Sequence, residues 1–410
     1  MPQYLSPGVY VEEVESSIQP IAGVGTSTAG FIGLVGPGVA MPPMPGRFLT
    51  DEKGNFVNAA GALLGPDEEP VPVSYPLSAA GEAQLVTSWE SFKNQFGDFH
   101  ADNHTLAHAV YGFFNNGGTR CWVTRVDELA AEAVLAALRG FETIDEIAIV
   151  AVPGATNAAI QEAMVSHCEG LGDRFAILDG QPLRNGEAWT AGNIRGGAPR
   201  SAYAALYFPW IAVYDPASGD VDFVPPSGHV AGIYARVDSE RGVHKAPANE
   251  RVRGALGLEW RLGRADQDGL NPEGINVIRD LNGAVTLWGA RTLAPTEEAE
   301  WKYVNVRRLF LYLRESIDEG TQWVVFEPNT PALWSKITRN VTAFLTNVWR
   351  AGALFGNTPG EAFYVRCDAA TNPPEVRNLG QVVTEVGVAV AHPAEFVVFR
   401  VSQWGGPGAA

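Results

Sequence analysis

The chain has 410 residues, 46% hydrophobic and 18% charged, and carries a formal net charge of −17. That composition argues against disorder. The acidic balance argues against nucleic acid as a partner and against an anionic membrane surface, since phosphate neutralisation needs a basic face.

At this length two or three domains with sizeable cores are expected. Cys121, Cys168 and Cys367 lie far apart with no C-x-x-C pair, which fits reduced thiols in a cytoplasmic fold better than a disulfide framework. The sequence does not open on a basic region followed by an apolar core, and it has no run of about 18 apolar residues. A protein made in the cytoplasm, without a secretory signal and without direct membrane insertion, is therefore expected.

Residues 1–20 read as an arm: Pro7-Gly8 makes a turn before the extended Val9-Tyr10-Val11-Glu12, and Glu13 and Glu15 keep the segment soluble. Residues 23–38 are glycine-rich, with a buried strand expected at 29–35. Eight prolines between Pro37 and Pro76 without a period predict an insertion of loops and short strands over about 37–85. From Ser88 the pattern is α/β. Helices are expected at 89–96, 103–114, 128–139 and 158–171, and strands at 121–126, 146–152, 174–178 and 204–213. This alternation predicts right-handed βαβ crossovers and a mainly parallel sheet.

Residues 215–275 read as loop-rich with one helix at 229–237. A second, α+β domain is expected after them. Its strands are placed at 276–280, 284–288, 322–326, 362–365 and 382–390, and its helices at 297–317 and 331–351. The chain ends on a β-branched and aromatic run, Glu395-Phe-Val-Val-Phe-Arg-Val-Ser-Gln-Trp404, followed by Gly-Gly-Pro-Gly-Ala-Ala. Chain ends are usually frayed and polar, so extended apolar runs at both ends predict segments that pair with something else. The domains expected are 1–20 (arm), 21–245 (outer α/β), 246–394 (C-terminal α+β) and 395–410 (strand and arm).

Candidate chemistry is sparse. Gly23–Gly30 lacks the Lys-Ser/Thr of a phosphate loop and the G-x-G-x-x-G of a dinucleotide fold, and reads as tight packing. His100, His104 and His108 recur every four residues as a helical metal site requires. His100 falls before the helix, however, and no His-Glu-x-x-His occurs, so solvated or capping histidines are expected. Ser227 and His229 are too close in sequence to meet as a dyad. Asp179, at the carboxyl end of a parallel strand where α/β folds place ligands, reads as a turn residue. No catalytic, cofactor or metal site is assigned.

The segment 331–351 carries more. Trp334, Ile337, Val341, Phe344, Leu345 and Val348 make one apolar face, opposite Lys336, Arg339, Asn340, Asn347 and Arg350. No acid lies between Glu327 and Glu361. In so acidic a chain this is a local basic surface, either a solvated face or a docking face for an acidic partner.

Many strings together resemble the contractile tail sheath proteins of myophage tails, R-type bacteriocins and contractile injection systems. They are Leu5-Ser-Pro-Gly-Val-Tyr-Val-Glu-Glu, Gly23-Val-Gly-Thr-Ser-Thr-Ala-Gly-Phe-Ile-Gly33, Phe113-Phe-Asn-Asn-Gly-Gly118, Val224-Pro-Pro-Ser-Gly-His-Val-Ala-Gly232 and Val243-His-Lys-Ala-Pro-Ala-Asn249. Leu270-Asn-Pro, Trp288-Gly-Ala-Arg-Thr292, Tyr303-Val-Asn-Val-Arg-Arg-Leu309, Trp323-Val-Val-Phe-Glu-Pro-Asn329 and Pro393-Ala-Glu-Phe-Val-Val-Phe399 complete the set. The similarity spans the chain apart from about 37–85. It departs at His392, where a Lys is expected.

The resemblance implies hexameric rings of this chain stacked helically around an inner tube, with baseplate and terminal cap proteins as further partners and no cofactor. It implies that terminal arms add strands to the sheet of neighbouring C-terminal domains, and that contraction drives the tube through a target envelope. The donated strands would then be Val9, Tyr10, Val11 and Glu12 at one end and Phe396, Val397, Val398, Phe399 and Val401 at the other. Lys336, Arg339 and Arg350 are candidates for facing the tube. An injection-system sheath is the leading expectation, a myovirus tail sheath the alternative, and an α/β enzyme a disfavoured third.

Overall fold

A computed structural model describes residues 20–65, 67–182 and 190–398. The chain divides into a larger unit, Gly25–Tyr312 together with 391–398, and a smaller one, Leu313–Val390 together with 20–24. The division falls inside the helix Val304–Thr321 and not near residue 245.

The strands of the larger unit, in chain order, begin with β1 (Ala29–Leu34), β2 (Pro43–Phe48), β3 (Pro72–Ser74), β4 (Ala83–Val86), β5 (Cys121–Val126), β6 (Ile149–Ala151) and β7 (Phe175–Asp179). They continue with β8 (Ala204–Phe208), β9 (Ile211–Tyr214), β10 (Val221–Val224), β11 (Glu250–Arg251), β12 (Gly257–Leu258), β13 (Ile275–Leu281) and β14 (Ala284–Leu287). Nine of them form one sheet in the order β11-β14-β13-β8-β7-β6-β1-β5-β4. The middle six, from β13 to β5, run parallel, and antiparallel strands close both edges.

Side chains alternate across this sheet. Phe31, Val123 and Ile177 face one core with the helices His104–Asn116 and Ser227–Arg241. Ile32, Val150 and Leu178 face another with the helices Ala131–Phe141 and Ala158–Leu171. Both faces are covered, so the strands read as continuous apolar runs. Cys121 and Cys168 are fully buried, one in each core, and burial pushes both thiols well up in pKa; Cys367 is buried as well.

The glycine-rich run leads into and spans β1 instead of linking a strand to a helix, as a phosphate loop must. Its Thr26 hydroxyl donates to Asp238 at 2.6 Å. A side chain at Gly30 would meet the Phe141 ring at 2.7 Å, and one at Gly33 would meet Leu106 at 2.9 Å, so these glycines serve close packing.

Several expectations are corrected. The strand expected over 204–213 is two strands, because Pro209 has no N–H for the ladder; β9 joins β10 and β12 in a separate sheet. Strands β13 and β14, expected in the second domain, pair into the large sheet through β8. The helix expected from 297 begins at Val304, behind a 3₁₀ turn at Ala299–Trp301. Gln322–Val324 is a 3₁₀ turn and not a strand; Phe326 beyond it has φ 69° and is fully exposed. The 37–85 insertion holds the antiparallel pair β2–β3 and, at its end, the edge strand β4.

Gly228 and Gly232 lie one turn apart where the Ser227–Arg241 helix meets the His104–Asn116 helix. A Cβ at Gly228 would run into the Ala109 backbone, and one at Gly232 would lie 2.7 Å from Asn116 Cβ. Backbone cannot yield as a side-chain tip can. Gly228→Ala is therefore expected to lower the unfolding free energy by about 2–3 kcal/mol. Gly170→Ala, on a helix with nothing within 4 Å, should be neutral or slightly stabilising. Denaturant unfolding of the two variants makes the comparison.

In the smaller unit the helix Pro331–Arg350 packs against β15 (Phe363–Arg366), which pairs antiparallel with β16 (Glu385–Val388).

Candidate assembly interface

Residues 391–398 carry no regular secondary structure, but they are held at one point. The Glu395 carboxylate accepts two bonds from Arg291, Nε to Oε1 at 2.7 Å and Nη2 to Oε2 at 2.9 Å. It also accepts from the Tyr303 hydroxyl at 2.8 Å and the Asn271 amide at 2.9 Å, and Lys302 Nζ lies 3.6 Å away. Burial alone would raise this carboxyl, but Arg291, Asn271 and Tyr303 outweigh it and hold it at about 2. Arg291 is itself buried and donates to the Asn271 carbonyl. His392, the departure from the family pattern, sits beside the Tyr303 ring.

Past this anchor the next side chains turn to solvent: Phe396, Val397 and Val398 are 71%, 68% and 77% exposed. The segment borders a groove of 1060 Å³ lined also by His244, Asn249, Arg264 and Trp288. Three strand-forming side chains thus stand in water on a segment pinned at its root. Phe399 and Val401 lie outside the described residues.

At the other end, Val9, Tyr10, Val11 and Glu12 also lie outside the described residues. Ile21 is buried against the second half of the Val304–Thr321 helix, where a side chain at Gly320 would meet it at 2.6 Å. Val24 N–H donates to Ser316 Oγ at 3.1 Å.

The pair β15–β16 gains no third strand among the described residues. Its register runs Phe363↔Val388 to Arg366↔Glu385, and Tyr364 and Val386 are exposed at 58% and 37%. A two-stranded sheet is marginal alone, and its open edges are templates for another strand.

On the Pro331–Arg350 helix, Arg339 and Arg350 are exposed and Lys336 is half-buried. None of the three has an ion-pair partner among the described residues. Asn340, expected beside them, is buried with neither amide atom bonded. It stands three residues after Ile337 and four before Phe344, which places it on the apolar stripe.

Asp179, Ser227 and His229 make structural contacts. Buried Asp179 accepts from Gly154 N–H, Ser227 N–H and Ser227 Oγ at 2.7–3.0 Å and so fixes the start of the Ser227–Arg241 helix. Burial raises it to about 6 against those bonds. Ser227 is thereby engaged, and buried His229 packs on Gly112, pushed down to about 3 mainly by burial. His100 accepts from Asp102 N–H outside the helix, whereas His104 and His108 stack one turn apart, rings 4.7 Å between centres, and His108, expected solvated or capping, is buried because it packs inward against Asp215. The anchor at Glu395 and Arg291 went unread in the sequence. Its only signal is a carboxylate inside an otherwise apolar run.

Residues 127–293 match the family model of the phage tail sheath protein central domain, and 296–403 that of the phage tail sheath C-terminal domain. The chain is 28% identical over 257 residues to a prophage major tail sheath protein of Pseudomonas aeruginosa (strain UCBPP-PA14), covering 60% of this chain and 63% of that protein. It is 30% identical over 203 residues to the tail sheath protein of Burkholderia phage BcepMu, covering 48% and 41%. It thus spans less than two thirds of these relatives' length. Two solved structures are similar over almost the whole chain. One is the sheath of an extracellular contractile injection system, PVC, in the contracted state (TM-score 0.74, 26% identity, 99% of each chain). The other is the contracted helical sheath of the anti-feeding prophage (TM-score 0.72, 27% identity, 98% of this chain and 99% of that one).

Proposed function

Because the chain belongs to the contractile tail sheath family, we propose that it is a structural subunit, not a catalyst, that polymerises with itself around an inner tube and contracts to drive that tube through a target envelope. The observation that carries this is the pairing of supply and demand for strands. One end offers exposed Phe396–Val398 on a fixed root, and β15–β16 offers edges without a third strand. Val9–Glu12 and Phe396–Val401 of neighbouring copies add to those edges. Backbone bonds then give affinity and alternate side chains set register.

Hexameric rings stacked helically, with baseplate and cap proteins at the ends, are the arrangement proposed. Contraction draws on the difference in contact free energy between two packings, multiplied over many copies. The extended state is held by the tube, which the basic face at Lys336, Arg339 and Arg350 contacts. The roles proposed follow: the larger α/β unit faces solvent, and the smaller unit, which carries this basic face, faces the tube. The likeness to injection-system sheaths over almost the whole chain, at 26–27% identity, supports an injection particle, with a myovirus tail the alternative.

Electron microscopy of the full chain co-expressed with its tube protein is the test. Hollow tubes of two lengths are expected; discrete particles or flat sheets would overturn the reading. The triple variant Lys336→Glu, Arg339→Glu and Arg350→Glu is expected to assemble only contracted or tube-free sheath. Its particles remaining extended on the tube would remove this face from the tube contact.

A further inference from the structure

We propose that His104, His108 and Asp215 bind a divalent transition metal, with Zn²⁺ the best fit, at the junction of the His104–Asn116 helix and the β9–β10 hairpin. Nothing in the sheath function requires this site; it rests on the geometry of the larger unit. A spacing of four residues puts both imidazoles on one side of the helix. Asp215 follows β9 directly, and its Oδ1 lies 3.2 Å from His108 Nε2. One ligand atom from each of the three residues falls within 4.8 Å of the others. Tetrahedral Zn²⁺ with bonds of about 2.0–2.2 Å sets its ligand atoms roughly 3.3–3.6 Å apart, so small side-chain adjustments close the site.

A second observation points to a ligand. His104 Nε2 is a buried atom with no hydrogen bond, although Asp222 Oδ2 stands 3.3 Å away. Two lone-pair-bearing atoms this close, yet not aligned as N–H to oxygen, are reconciled by a cation beside both. Asp222, on β10 and more than half exposed, borders the open fourth position.

The outer contacts also suit a metal centre. Asp215 Oδ1 accepts from Ala217 N–H at 3.0 Å and Oδ2 from Ser218 N–H at 3.2 Å. Such bonds orient ligating carboxylates. An imidazole and carboxylate set without thiolate favours Zn²⁺ and its transition-metal neighbours over Ca²⁺ or Mg²⁺, which take all-oxygen shells. The metal would clip together residues 107 apart in the chain.

The test uses the full chain without an affinity tag, stripped of metal. Zn²⁺ titration should show one saturable equivalent, and Co²⁺ should give the visible bands of a tetrahedral nitrogen and oxygen site. Zn²⁺ at a hundredfold excess over its Kd should raise Tm by about 3–4 °C, Mg²⁺ leaving it unchanged. His104→Ala removes a side chain 24% exposed at the helix start, so the fold should survive, and binding should weaken at least about tenfold. His100→Ala, outside the cluster, should bind as the parent does. No saturable uptake by the parent, equal uptake by the His104→Ala and His100→Ala variants, or an equal response to Mg²⁺ would overturn the proposal and leave His108 and Asp215 as a hydrogen-bonded pair.

Discussion

Glu395→Ala is expected to lose sheath polymers and to destabilise the larger unit by about 2–3 kcal/mol. Removing one partner of a buried ion pair costs about 3–5 kcal/mol because the other charge stays buried. The figure is lowered here because the Glu395 side chain is 20% exposed. Arg291 would lose both of its carboxylate bonds, and Tyr303 and Asn271 one acceptor each. The root of Phe396–Val398 would then be free, and a strand that must meet a neighbour's edge in register would no longer start from a fixed point. Glu395→Gln keeps the shape and one acceptor oxygen, so an intermediate loss is expected. Microscopy of assembled tubes and denaturant unfolding together check this; Glu395→Ala tubes matching the parent's would sink it.

The same carboxylate sets a pH window. Its folded pKa is about 2, against an ordinary 4.5. Between these values the unfolded chain binds the proton more tightly, so stability falls as pH falls. The contribution is complete above about pH 5 and gone below about pH 2. The parent should lose stability over that range more steeply than Glu395→Gln.

Deleting residues 1–20 is expected to abolish polymers outright while leaving a folded, monodisperse monomer. The cut falls just before Ile21 and Val24, whose contacts with the Val304–Thr321 helix are kept. What is lost is the donated strand. At about 0.5–1.5 kcal/mol per backbone bond, a four-residue strand supplies a few kcal/mol per junction, and every junction in the polymer loses it together. Circular dichroism should be near that of the parent, size exclusion should give a single small species, and microscopy should show no tubes. Normal sheaths from the deletion would reject strand donation by this arm.

Elements with strong local signals were legible in the sequence. The helices at 89–96 and 158–171 and the strand at 121–126 have the expected bounds, because Ser88 and Asn157 cap the helices and aromatic or β-branched residues fill the strand. Misreadings arose where partners decide. Nothing local says that β13 pairs with β8, some seventy residues earlier, and not with a second domain's sheet. Gln322–Phe326 has strand composition, yet it forms a turn after a helix that runs on to Thr321. Asn340 was assigned by polarity when spacing placed it inside. Of the assembly surfaces, the exposure of Phe396–Val398 was legible as pattern. The ion pair that roots them joins residues 104 apart, and no periodicity reports that.

The buried cysteines bear on the contraction proposed for the polymer. Thiol exchange proceeds through the exposed thiolate. Cys121 and Cys168 are withheld from solvent in separate cores, with ionisation disfavoured by burial. Passage from reducing to oxidising surroundings therefore gives them no covalent route to weld neighbouring subunits. In the polymer proposed above, whose rearrangement depends on weak contacts breaking and re-forming in concert, these two cysteines would leave that freedom intact in either redox setting.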